Sequence, residues 1–169
     1  MDIQDYFAVL ALLVSILALG VILLGYIEYI RVRALRRELQ VWQSQVEDRL
    51  YRNAKAQQLI QASYRVESPE RRISLIEAAL KADPDTFNGY NALGWEKLHQ
   101  DDISGAIAAF EQAVIRHPKD KAGHFDLAWA YLRANRPDKA RKSLDKALRV
   151  DPSSRQDIDA SPELASLYR

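Results

Sequence analysis

Three prolines stand on a fixed ruler: Pro84, Pro118 and Pro152 are 34 residues apart. Ala79, Ala113 and Ala147 keep the same step, and so do the apolar Ile76, Phe110 and Leu144. A period of this length belongs to arrays of helical hairpins, in which each unit buries its apolar face only by stacking on its neighbours. In the stretch 87–120, Tyr90, Leu93 and Gly94 fall at i, i+3 and i+4, one face of a first helix. Ala106, Ile107, Phe110, Ala113 and Val114 form the apolar stripe of a second. Gly94 and Ala106 are the small contacts that let the two helices approach, and Phe110 fills the space beside them. Asp101 and Asp102 are the candidate N-caps of the second helix. Pro118 cannot continue that helix, so it starts the turn to the next unit. The stretch 121–154 keeps the register with Leu127, Ala128, Tyr131, Ala140, Leu144, Ala147 and Pro152. Its turn is Ala134–Asn135–Arg136, with Pro137 in the first helical turn after it.

These positions resemble the tetratricopeptide repeat (TPR) family: a large residue, Leu-Gly or Leu-Ala, Tyr, Ala, Phe, Ala and Pro. The departures are Lys97 where Tyr is usual, His124 where Trp, Tyr or Leu is usual, and Leu144 where Phe is usual. The resemblance implies an all-α array in which the first helix of each hairpin lines a concave, partner-binding groove. Carried onto this chain, the groove positions are Asn88, Asn91, Trp95 and Leu98, then Ala122, Phe125, Trp129, Leu132 and Arg133. Such aromatic residues suggest an apolar ligand surface edged by asparagine. Their competing use is packing, against the stalk, the C-terminal helix or adjacent repeats. One subtype of the family grips the carboxylate of chaperone C-termini with Lys, Arg and Asn. Asn91 and Arg133 are the nearest equivalents here, but Trp95 and Phe125 stand where that clamp needs polar groups. A partner helix or an extended segment suits the groove better.

The stretch 53–86 reads as a degenerate first repeat. Ser68 is its internal N-cap and Pro69 the first helical position, followed by Ile73, Ile76, Ala79 and Leu80. Ile60 sits where a small residue is usual, Ser63 where Tyr is usual, and Arg72 where Ala is usual. Its groove positions would be Gln57, Gln61 and Tyr64. About three units are needed for a stable array, which is a physical reason to count this one as structural. After Pro152 the ruler breaks. Residues 155–169 cannot hold another hairpin; Ser161–Pro162–Glu163 reads as the cap of a short helix to about Tyr168. Leu164 and Leu167 would cover the exposed edge of the last repeat, the alternative being a frayed tail.

The N-terminal part follows different rules. Residues 1–5 are acidic, and Tyr6 to Ile27 contains no formal charge. As a helix this run is roughly 33 Å long, enough for a hydrocarbon core of about 30 Å. The expected span is 6–30, with Tyr6, Phe7, Tyr26 and Tyr29 at the two interfaces. Arg31, Arg33, Arg36 and Arg37 follow at once. Basic residues stay on the cytoplasmic side, so the expected topology is N-terminus out and repeats in. An acidic start and a flank of Glu28 and arginines do not fit a cleaved signal peptide. Residues 31–52 continue as a helical stalk. Val32, Leu35, Leu39, Trp42 and Val46 form a heptad seam of about two heptads, open to pairing two protomers or to packing on the repeat domain.

Composition narrows the chemistry. The net charge of +1 does not suggest a nucleic-acid binder, and the absence of Cys removes disulfides, thiolate catalysis and Cys-based zinc sites together. His99, His117 and His124 do not share a metal-ligand spacing. No nucleophile motif or phosphate-cradling glycine loop is present, so no cofactor, no metal and no enzymatic activity are expected. The expectation is an all-α, single-span protein whose cytoplasmic repeats hold a protein partner without catalysis. The layout is similar to bacterial inner-membrane TPR proteins that assist assembly or regulation of envelope complexes. Alternatives are a receptor or chaperone-docking module, or a small structural subunit of a membrane complex.

Overall fold

The computed structural model describes residues 2–168, and these are helical throughout apart from short turns. The chain divides into two compact units, residues 1–49 and 50–169. Helix α1 (Ile3–Ser63) supplies the first unit and opens the second. Then come α2 (Pro69–Ala82), α3 (Gly89–His99), α4 (Ile103–Arg116), α5 (Lys121–Arg133) and α6 (Pro137–Val150). The chain closes with α7 (Ser154–Ala160), α8 (Pro162–Ala165) and a 3-10 turn (Ser166–Tyr168).

In the first unit, α1 is long and apolar enough to cross a membrane, and its apolar window is wholly exposed. Val32, Leu35, Leu39 and Trp42 are exposed too. Arg31 pairs with Glu28 at 3.0 Å, one helical turn back.

The proline ruler of the second unit is written in hydrogen bonds. The backbone N–H groups of Asp83, His117 and Asp151 donate to the carbonyls of Ala79, Ala113 and Ala147, each at 2.9 Å. The next residue is proline each time. It has no N–H to offer, so the helix stops on the same carbonyl in every unit. The starts are as local. Ser68 accepts from the N–H of Arg71, Asp102 from Gly105 and Asp120 from Ala122. Asn88, Asp101 and Asn135 take left-handed backbone at the inter-helix turns, a conformation that Asn and Asp tolerate better than most residues.

Two apolar clusters form the core of the second unit. The smaller joins Ala56 and Ile60 of α1, Ile76 and Ala79 of α2, and Ala92 of α3, with Leu93 beside them. The larger joins α3, α4, α5 and α6 around Phe110, Leu127, Ala128, Tyr131, Ala140 and Leu144. Gly94 and Phe110 meet as the sequence implies: a Cβ on Gly94 would lie 2.5 Å from the Phe110 ring.

The chain end departs from expectation. Residues 154–160, a stretch without a hairpin's length in the sequence, form α7, and its Ile158 is fully buried in the larger cluster. Asp151 shapes the entry, accepting from both the N–H and the hydroxyl of Ser153. Seven residues suffice for one anchoring side chain before Pro162 forces a new start. Ser161 then caps α8, and Leu164 is buried against the last repeat, with Leu167 packed beside it. Tyr168 donates to Asp145 at 2.8 Å, closing the tail onto α6.

Candidate partner-binding face

The first helices of the hairpins are the end of α1, then α3 and α5; α3 packs on both α4 and α5. Trp95 on α3 is 39% exposed, with its ring edge-on to Phe110 at 5.8 Å. Phe125, Trp129 and Leu132 on α5 are half-buried against the larger cluster, and Ala122 is exposed. These aromatic residues are therefore partly spent on the core while keeping surface to offer. Tyr64 is exposed at the end of the second unit's first helix.

Most of the polar members are held by partners within the chain. Asn88 donates to the Tyr64 hydroxyl at 2.9 Å, and Gln57 donates to the Thr86 hydroxyl at 2.8 Å and to the Phe87 carbonyl. Arg133 pairs with Asp101 at 3.1 Å. Asn91 is buried and donates to Asp126 at 2.9 Å. Two groove expectations are corrected here. Leu98 is a core residue, buried in the larger cluster with side chains of α4, α5 and α6. Asn91 does not face a ligand freely, because its amide is held by Asp126. Asn91 and Arg133, the nearest equivalents of the carboxylate clamp, point at carboxylates of this chain, the half-buried Asp126 and the exposed Asp101.

Asp126 is the residue that sequence reasoning passed over. It follows Phe125 on α5 and continues the 122, 125, 129, 133 stripe, a spacing that could have flagged it. Burial pushes its carboxyl up to about 6, against the pull of hydrogen bonds from Trp95 and Asn91, and Asp120 adds like-charge repulsion. The folded value lies above the unfolded one of 3.8, so proton binding favours the fold. That contribution is complete below pH 3.8 and is lost as pH rises through about 6. At pH 7 the ionised group costs stability, by about 1–2 kcal/mol after allowance for its partial exposure. Asp126→Asn is therefore expected to raise the urea midpoint of the full chain in nanodiscs at pH 7, followed by tryptophan fluorescence. The gain should shrink through pH 6 and vanish by pH 3.5; an unchanged gain at pH 3.5 contradicts this account.

Tyr131 and Tyr168 are also shifted. Burial, then hydrogen bonding to Glu111, pushes Tyr131 up to about 12; burial and Asp145 do the same for Tyr168. Both serve packing. Among the described residues, no group of three or more His, Asp or Glu is placed to hold a metal ion.

Stacked hairpins whose first helices share a half-apolar face define a helical repeat scaffold. A family model described as "Tetratricopeptide repeat" matches residues 91–155, so this segment of the chain is similar to TPR repeats. A curated relative, a cell division cycle protein 27 homolog of Caenorhabditis elegans, is 26% identical over 83 residues. The match covers 49% of this chain and 10% of that protein. Among solved structures, the first TPR domain of Spaghetti (RPAP3), bound to an HSP90 peptide, has a TM-score of 0.57 at 14% identity, covering 68% of this chain and 87% of that one. The Yersinia enterocolitica type III secretion chaperone SycD, in complex with a peptide of the translocator YopD, has a TM-score of 0.57 at 17% identity, covering 66% and 87%. At these identities the likeness concerns the fold.

Proposed function

We propose that this chain is a non-catalytic, membrane-anchored adaptor. Its TPR groove holds a helical or extended segment of a protein partner at the cytoplasmic face of a bacterial inner membrane, serving assembly or regulation of an envelope complex. The observation that carries the reading is the partly exposed aromatic face of α3 and α5, Trp95 with Phe125 and Trp129. Peptides bound to the similarly folded domain of Spaghetti and to SycD support a peptide-holding use of the fold. The uncharged run 6–27 supports the anchor, and Arg31, Arg33, Arg36 and Arg37 support a cytoplasmic repeat domain. Tethering raises the effective concentration of the partner near other membrane components.

The exposed seam at Val32, Leu35, Leu39 and Trp42 also supports contact between two copies. Arg31 and Arg36 flank that seam, and in a parallel pair they would face like charges, which makes the stalk a weak dimerisation element at most.

The test is a crosslinked pull-down from native membranes. A Trp95→Ala, Trp129→Ala variant, shown to stay folded by circular dichroism, should lose a specific partner. A chain whose residues 6–27 are exchanged for an unrelated span should keep it. The reverse pattern would make the protein a structural subunit held through its transmembrane helix.

A further inference from the structure

Some acids of the second unit carry cationic partners, while others, Asp83, Glu111 and Asp145, accept from the neutral side chains of Asn53, Tyr131 and Tyr168. Asp85 pairs with Arg116, Glu96 with Arg72, Asp101 with Arg133, and Asp151 with Lys121. Asp126 is of the second kind. It is half-buried on the first-helix face; the Asn91 side chain donates to it, and the neutral Trp95 indole is its other polar neighbour. Among the described residues no Lys, Arg or His pairs with it. The charged group that acts on it is another acid, Asp120. A carboxylate has room for about four hydrogen bonds, so these neutral neighbours leave acceptor capacity unused. The adjoining Trp95 ring is partly exposed, and an aromatic face attracts cations as the carboxylate does.

We infer that Asp126 and Trp95 form a cation-reading position, which receives a Lys or Arg side chain from the partner segment that lies in this groove. The inference rests on the groove reading above and names the chemistry of its ligand. Charge complementarity selects this occupant: the position is anionic, lacks a counter-ion of its own, and is flanked by the apolar surface of Phe125 and Trp129. An arriving guanidinium or ammonium supplies the missing counter-charge as a charge-assisted hydrogen bond while its aliphatic stem lies on the aromatic surface. The same carboxylate repels a C-terminal carboxylate, so the groove discriminates against the ligands of chaperone clamps.

The probe is a random dodecapeptide library displayed on phage, panned against the full chain in nanodiscs at pH 7.5. Wild type should enrich peptides with one fixed Lys or Arg among apolar residues. Asp126→Asn keeps an acceptor oxygen at this place and should bind those peptides about tenfold to a hundredfold more weakly. Replacing the fixed basic residue by norleucine should weaken binding to wild type and leave binding to the variant unchanged. Peptides without a fixed basic residue, or equal binding by Asp126→Asn, overturn the cation inference while leaving the groove intact. Peptides that bind the Trp95→Ala, Trp129→Ala variant as they bind wild type, or no enrichment at all, overturn the groove reading and the inference together.

Discussion

Phe110→Ala should cost about 3–5 kcal/mol, enough to unfold much of the repeat domain. Phe110 is fully buried, and it is the large side chain that α3, α4 and α5 enclose together. Truncation removes the ring and leaves a cavity that rigid neighbouring helices cannot collapse into. Trp95 also rests edge-on against this ring, so the loss reaches the proposed partner-binding face. The complementary change gives a smaller loss. Gly94→Ala would place its Cβ 2.5 Å from the ring, and a fully buried ring has little room to move. Overpacking costs about 1–3 kcal/mol, offset in part by the better helix propensity of Ala, worth about 1 kcal/mol. Combining both changes should be less damaging than their sum, because the added methyl enters the space the ring vacates. Urea denaturation of the four proteins measures this directly; strict additivity would show that the two sites do not share one cavity.

The second large effect is expected at Arg72. Its Nε lies 2.9 Å from the Glu96 carboxylate, and Nη1 donates to the carbonyls of Val66 and Glu67 beyond the end of α1. The Nε–H is not aligned on Glu96, so the pair is held by charge attraction more than by a formed hydrogen bond. Arg72→Ala strands the largely buried Glu96 without a counter-charge and frees two carbonyls, for a loss of about 3–5 kcal/mol. Glu96→Ala should fall in the same range. Replacing both by Leu removes the stranded charge and should cost clearly less than either single change. A double replacement as damaging as the sum of the single changes would show that the pair is not the reason for their effects.

What the sequence made legible follows from how local each signal is. Pro84, Pro118 and Pro152 act on the residue just before them, and Asp102 caps a helix three residues away, so spacing alone locates these ends. The Gly94–Phe110 contact is legible because it recurs within one hairpin. Long-range exchanges are not. Arg72 in place of a small residue reads as decay, yet its partner Glu96 lies on the next hairpin and makes the substitution structural. Leu98 reads as a groove residue by helical position, but it is buried in the larger cluster among side chains of the following helices. Asp126 reads as one more surface acid until Asn91, a full repeat away, is seen to hold it. Residues 154–160 lack a hairpin's length, and the docking of Ile158 has no local mark.

The most direct test of the groove is site-specific photo-crosslinking in native membranes. A benzophenone amino acid placed at exposed Ala122, on the first helix α5, is compared with one at exposed Ala108, on the second helix α4. The account predicts one discrete protein adduct from position 122, lost in the Trp95→Ala, Trp129→Ala background, and no such adduct from position 108. The same adduct from position 108 alone would contradict it.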